Sequence, residues 1–206
     1  MTYTVKEIFK SVQGEGHNAG RVAVFCRFTG CNLWSGHEKD RAQATCKFCD
    51  TDFVGGDKYA DAVSLVDAIE QAWGPSRPRR FVVLTGGEPA LQYDAGLRTE
   101  LHKRSFFIAI ETNGTICLRA GVDWLCVSPK ANTEIVLHDA DELKLVYPQI
   151  GLSPHLAAHG IDALHYSVQP MDGPDFAANT QAAYEFAVEN PKWKLSIQMH
   201  KAVGVR

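Results

Sequence analysis

The chain has 206 residues, 45% of them hydrophobic, which suffices for one sizeable core and is too short for two. Its 21 basic residues against 24 acidic ones leave a formal charge of −3, so composition gives no reason to expect a nucleic-acid or anionic-membrane partner. No stretch approaches the roughly 20 apolar residues of a membrane span, and the opening Met1–Glu7 lacks a signal-peptide apolar core. The expectation is a cytoplasmic protein, in which the six cysteines read as metal or cluster ligands before disulfides.

In chain order, residues 61–73 place Val63, Leu65, Val66, Ile69 and Trp73 at helical spacing behind Asp61 as N-cap. Arg80–Thr85 reads as a strand ended by Gly86-Gly87, and Phe106–Ile110, Trp124–Val127, Glu142–Val146 and Leu164–Val168 read as further strands. One short helix is expected in the Pro- and His-containing segment after Val146, and a longer one over 174–189, stopped by Pro191. Strand–helix alternation argues for a mainly parallel sheet with helices outside. About six units are too few for the eight of a closed barrel. The predicted fold is α/β, a partial (β/α)6-type open barrel in a single domain, without internal repeats or linkers.

The turns at the strand ends are informative, because the carboxyl ends of parallel strands face the site. Here they read Thr85-Gly86-Gly87-Glu88-Pro89, Glu111-Thr112-Asn113-Gly114, Ser128-Pro129-Lys130 and Gln169-Pro170-Met171-Asp172. Any one could be an ordinary polar turn; four at one edge point to a shared pocket. Cys31 stands alone, followed after fourteen residues by Cys46-Lys47-Phe48-Cys49. Three thiolates are one short of the usual set for an iron–sulfur cluster and would leave one iron open. From this region alone a closed Cys3His zinc tetrahedron of Cys31, His37, Cys46 and Cys49, in a non-catalytic module, competes. Cys26, Cys117 and Cys126 read as small buried hydrophobes, and His155, His159 and His165 have no acid at ligand spacing.

Together the cysteines and the strand ends resemble the radical S-adenosylmethionine superfamily and, within it, the 7-carboxy-7-deazaguanine synthases. Most of the superfamily spaces its cysteines C-x3-C-x2-C; the C-x14-C-x2-C found here is a widening known among these synthases. The runs Ile8–Gly16, Phe25–Leu33 and Cys46–Thr51 extend the likeness, which reaches from residue 8 to about residue 172. It implies a radical S-adenosylmethionine core over residues 1–206 with an insertion at about 32–45. A glycyl-radical-type activating enzyme is the alternative within the superfamily, and the wide spacing argues against it.

The resemblance also implies roles. Cys31, Cys46 and Cys49 would hold a [4Fe–4S] cluster whose fourth iron S-adenosylmethionine chelates, and one electron would cleave the sulfonium to methionine and a 5′-deoxyadenosyl radical. Phe48 would lie near the adenine, Asp50 behind the Mg²⁺ ligand Thr51 as a further cofactor contact, Gly86 and Gly87 against the methionine moiety, and Glu88 at its ammonium. Ser128 and Lys130 would reach the carboxylate or ribose, and Gln169 the ribose hydroxyls. The implied substrate is 6-carboxy-5,6,7,8-tetrahydropterin, with Gln13, the Gly14 backbone and Glu15 on the ring edge and Arg27 on the carboxylate. Thr85, Glu111 and Asn113 are further substrate candidates. Thr51 would share Mg²⁺ with the substrate, although Asp50-Thr51 alone reads as a helix cap. Hydrogen abstraction from C6, ring contraction and loss of ammonia would give 7-carboxy-7-deazaguanine, a precursor of queuosine. A flavodoxin- or ferredoxin-type electron donor and a homodimer are implied, with no direct nucleic-acid or membrane partner. Residues 198–206 carry no motif, and no role is assigned to them.

Overall fold

The computed structural model describes residues 1–205. Its chain opens with two antiparallel strands, β1 (Tyr3–Val12) and β2 (Val22–Phe28), in the register Ile8↔Cys26 and Val12↔Val22. The cluster loop comes next, with a short 3-10 turn at Glu38–Gln43, and β3 (Asp57–Tyr59) then returns to pair with β1. The rest alternates: α1 (Ala62–Trp73), β4 (Phe81–Gly86), α2 (Ala95–Lys103), β5 (Phe107–Thr112), β6 (Trp124–Val127), β7 (Asp139–Tyr147), α3 (Pro154–Gly160), β8 (Asp162–Pro170), α4 (Phe176–Glu189), β9 (Trp193–Leu195) and α5 (Met199–Val203).

Among the described residues nine strands form one sheet, in the order β3-β1-β2-β4-β5-β6-β7-β8-β9. Every pairing from β2 onward is parallel. The sheet is open, as expected of a partial barrel. Two crossovers, β5 to β6 and β6 to β7, run as loops without a helix, so the strand–helix alternation is incomplete.

Side-chain alternation along the strands separates two environments. Val82 and Leu84 of β4 and Ile108 and Ile110 of β5 face outward into a core with Leu65, Val66 and Ile69 of α1 and Leu97 and Leu101 of α2. Each such buried side chain contributes about 1.5–3 kcal/mol. Asp61 starts α1 as expected, accepting from Ser64 N at 2.8 Å. A second core joins Leu143, Leu145, Tyr166 and Val168 to Ala157 of α3 and Ala183 of α4.

The intervening residues point to the inside of the half-barrel. At the amino ends of the strands this interior is plugged by rings. His17 stacks on His165 (3.8 Å between centroids) and on Trp124 (5.1 Å), and the Arg21 guanidinium lies 4.0 Å over Phe81. Further up, the inner face turns polar: Glu142, Lys144, Ser167 and Gln169 are all buried. At the carboxyl ends it opens into a cavity.

Candidate active site

The cavity holds about 470 Å³, within the range of small-molecule sites. One end is built by the cluster loop. The β4 turn is zipped to it, with Gly87 N donating to Phe28 O (3.0 Å) and Glu88 N to Gly30 O (2.8 Å). A Cβ on Gly87 would overlap Gly30 O, and Gly86 has φ +118°, so this approach requires glycine.

Cys31, Cys46 and Cys49 all line this end, and none of the other three cysteines does. Cys46 and Cys49 are hydrogen-bonded; the shared proton pushes the Cys46 thiol up and draws Cys49 down. Burial pushes the Cys31 thiol up, while Leu33 N donates to its Sγ at 3.4 Å. Lys130 Nζ donates to Ser128 O and Oγ (2.5 and 2.9 Å). Burial lowers its pKa, and Cys46, Cys49 and Glu88 partly restore it. Three convergent thiols beside one ammonium fit a cluster with one open iron, because each thiolate takes its own iron and the cation offsets the accumulated charge. A single-ion zinc site does not fit. His37 is exposed at the start of the 3-10 turn, and among the described residues no three His, Cys, Asp or Glu side chains gather closely enough to hold one metal ion.

The other end is a buried charge network. Lys144 Nζ on β7 lies 2.7 Å from both Glu15 Oε2 and Glu111 Oε2, and Gln13 Nε2 donates to Glu111 Oε1 at 3.1 Å. Burial pushes Glu15 up, yet Lys144, Gln198 and His200 outweigh it and hold its carboxyl down at about 2. For Glu111 burial wins and its pKa is raised, with Glu15 adding to the effect. Burial pulls Lys144 down, but the two carboxylates keep it firmly charged. Arg27, Thr85 and Asn113 line the walls, with Arg27 Nε paired to Glu7 at 2.8 Å.

A model of the Radical SAM superfamily matches residues 41–144, a span that takes in Cys46 and Cys49. Proteins named 7-carboxy-7-deazaguanine synthase from Bradyrhizobium diazoefficiens and Bordetella pertussis are 55% and 52% identical, each over 100% of both chains. The chain belongs to the 7-carboxy-7-deazaguanine synthases of the radical SAM superfamily. A solved structure described as QueE from Escherichia coli superposes with a TM-score of 0.73 at 26% identity, covering 96% of this chain and 94% of that one. Membership brings a [4Fe–4S] cluster and S-adenosylmethionine. Neither the zinc module nor the glycyl-radical activase is favoured.

Of the residues expected at this synthase site, most meet in the cavity. Phe48, Asp50, Thr51, Gly87, Ser128, Lys130 and Gln169 line it with the thiols, and Gln13, Glu15, Arg27, Thr85, Glu111 and Asn113 line the rest. Two do not. Glu88 is 1% exposed, and its carboxylate accepts from Ala90 N (2.9 Å), Asn113 N (2.8 Å) and Thr112 Oγ1 (2.7 Å). It ties the end of β4 to the end of β5 and lies behind the cavity wall. Gly14 is likewise behind the wall: its carbonyl accepts from Met199 N at 3.0 Å, and a Cβ there would strike the His200 ring. Cys117, expected buried, is exposed in the β5–β6 loop, where Leu118 packs against the core instead.

The sequence reading missed Lys144, Gln198, His200 and Lys201. Gln198 Nε2 donates to Glu15 Oε1 at 2.7 Å, and Lys201 bridges Asp50 (2.9 Å) and Asp172 (2.5 Å), so α5 straps the mouth between the cluster loop and the end of β8. Nothing in that short, mostly exposed segment announces this. Lys144 did leave a trace. Glu142 and Lys144 alternate with Leu143 and Leu145, and charges alternating inside a parallel strand demand a polar interior.

Proposed function

We propose that this cavity converts 6-carboxy-5,6,7,8-tetrahydropterin to 7-carboxy-7-deazaguanine with loss of ammonia, using S-adenosylmethionine and a [4Fe–4S] cluster on Cys31, Cys46 and Cys49. The reading rests on the meeting, in one cavity, of three thiols at one end with the Glu15–Lys144–Glu111 network at the other. When bound, the cluster and S-adenosylmethionine supply a carbon-centred radical able to take hydrogen from a C–H bond.

The chain's own residues do the rest. Phe48, Asp50, Ser128, Lys130 and Gln169 hold the nucleoside cofactor, with the Gly87 backbone against its amino-acid end. Gln13, Glu15 and Glu111 offer donors and acceptors to the pterin edge. Gln198 Oε1, buried and without a hydrogen-bond partner, is one more acceptor for a ring N–H. Arg27, steadied by Glu7, takes the substrate carboxylate. Thr85 and Asn113 bound the ring laterally. Glu88 and Gly14 act at one remove, by fixing the β4–β5 ends and by seating α5.

Lys144 lies between the two carboxyls and joins them in one buried ion-pair network. Glu15 stays ionised and orients the ring donors. Glu111, although burial raises its pKa, accepts from Lys144 and Gln13 and orients the facing ring edge through the same network. Thr51 and the substrate carboxylate would hold Mg²⁺, a hard cation suited to a site with few protein ligands.

Residues 1–206 act as one core with the 32–45 insertion. The electron comes from a flavodoxin- or ferredoxin-type protein, and the working form is a cytoplasmic homodimer whose product feeds 7-deazapurine synthesis. Among the described residues no helix is long and apolar enough to cross a membrane.

The test is anaerobic incubation of reconstituted protein with the carboxypterin, S-adenosylmethionine, Mg²⁺ and a reductant, followed by mass analysis. Formation of the deazaguanine is expected. Release of 5′-deoxyadenosine with the pterin unchanged overturns the substrate assignment.

A further inference from the structure

Trp34 lies in the widened stretch between Cys31 and Cys46. It is 8% exposed and packs with Ala44 and Phe53, edge-on to the Phe53 ring at 5.6 Å, and Cys31 and Cys49 pack against the same group. Its indole Nε1 is closed to solvent and has no hydrogen-bond partner. The indole of Trp73, by contrast, donates to Ser76 O at 2.7 Å. A buried donor left unpaired costs about 1–3 kcal/mol, so a native site that keeps one calls for an explanation. Among the described residues the other buried, unpaired side-chain polar atom is Gln198 Oε1. Both residues line the same cavity, Trp34 at the thiol end and Gln198 at the pterin end. Each orphan therefore sits where a bound group is to arrive.

Arg41, from the same insertion, closes the arrangement. Its guanidinium lies 4.2 Å from the centre of the Trp34 ring. Nη1 donates to Lys47 O (2.8 Å) and Cys49 O (3.1 Å), while Nε pairs with Glu38 (2.7 Å). The cation is thus latched to the peptide that carries two of the thiols and presses on the indole from outside. Leu33 N, donating to Cys31 Sγ, adds a second N–H on the third thiol.

On the reading of Cys31, Cys46 and Cys49 as cluster ligands, we infer that Trp34 donates its indole N–H to a sulfur of that cluster, with Arg41 bracing the ring, and that the 32–45 insertion thereby sets the cluster's reduction potential. Reduction adds one electron, delivered by the low-potential donor the reaction already uses, and no atom is transferred. The added negative charge is stabilised by an N–H donor and by a nearby cation, both of which raise the potential. Trp34 and Arg41 are tuning and positioning residues and touch no substrate.

The experiment compares anaerobically reconstituted wild type, Trp34→Phe and Arg41→Gln, each with iron and sulfide quantified, by redox titration followed by electron paramagnetic resonance. Phenylalanine keeps an aromatic ring against Phe53 and removes the N–H together with the rest of the indole's second ring, so the isotope measurement below isolates the hydrogen bond itself. At a fixed solution potential the reduced-to-oxidised ratio in Trp34→Phe is expected to fall about tenfold, a midpoint about 59 mV lower for one electron. Arg41→Gln is expected to shift it the same way by less. A fully loaded Trp34→Phe with the wild-type midpoint overturns the inference. Should that variant fail to hold its cluster, wild type carrying ¹⁵N-indole tryptophan decides by pulsed resonance. Coupling of one indole nitrogen to the reduced cluster supports the inference, and its absence overturns it. Wild type that binds no iron defeats the cluster reading itself, a failure distinguishable from a loaded cluster with an unshifted midpoint.

Discussion

Replacing Lys144 with methionine removes the charge from the centre of the cavity network and keeps most of the stem volume. The Lys144 side chain is 6% exposed and sits 2.7 Å from two carboxylates, each 19% exposed. Deleting one partner of a buried ion pair leaves uncompensated charge and costs about 3–5 kcal/mol. For a chain of this size that lowers Tm by roughly 6–20 °C. The loss carries a pH signature. In the wild type the Glu15 carboxyl falls from its ordinary 4.5 to about 2, so its contribution is present above 4.5 and lost as pH falls towards 2. Without Lys144, burial, the largest influence on both carboxyls, is opposed at Glu15 only by Gln198 and His200, and both carboxyls rise above their unfolded values. A raised carboxyl stabilises fully below its unfolded pKa and loses that contribution as pH rises through the folded one. The deficit of Lys144→Met should therefore be largest near pH 7 and shrink towards pH 5. Urea melts of both proteins in the same cluster state across pH 5–8 measure this. A variant within about 1 kcal/mol of wild type at pH 7, or a deficit independent of pH, would refute the buried-network account.

Gly87→Ala drives a methyl into Gly30 O and should separate the β4 turn from the cluster loop; iron bound per chain after reconstitution is expected to drop severalfold, with the secondary structure seen by circular dichroism retained. Glu88→Gln replaces a carboxylate that accepts from three donors with an amide that presents a donor to one of them, costing about 1–3 kcal/mol in urea melts. Lys201→Met removes two exposed ion pairs worth at most about 1 kcal/mol each. Its stability should barely move, while KM for the carboxypterin rises severalfold in steady-state assays as the strap over the mouth loosens.

Much of the architecture was legible because its period was legible. The strand expected at 80–85 is Phe81–Gly86, that at 124–127 is Trp124–Val127, and the helix expected at 61–73 is Ala62–Trp73 with its Asp61 cap. These segments bury apolar side chains at a regular spacing. β1 buries Tyr3 and Val5 and then runs half-exposed past Glu7 and Phe9 along the cavity, so its alternation fades where its role begins. α2 buries only Leu97 and Leu101, and α5 buries nothing, leaving no period to detect. The candidate site divides the same way. Thiols and strand-end turns are written in local motifs. Lys144 pairs with acids 129 and 33 residues away, and Gln198 meets Glu15 across 183 residues. Such partners become neighbours only after the sheet has brought them together.

The contact between the two ends of the chain has a consequence for biosynthesis. Gly16 N donates to Ser196 Oγ, and Gly14 O accepts from Met199 N. The loop that presents Gln13 and Glu15 is therefore set by residues translated some 180 positions later. A nascent chain can pair its strands and gather its thiols while still on the ribosome, but it cannot seal the mouth until that tail has emerged from the exit tunnel. Metal loading before that moment would leave a reactive centre open to oxygen, so cofactor insertion is expected to follow the emergence of residues 196–199.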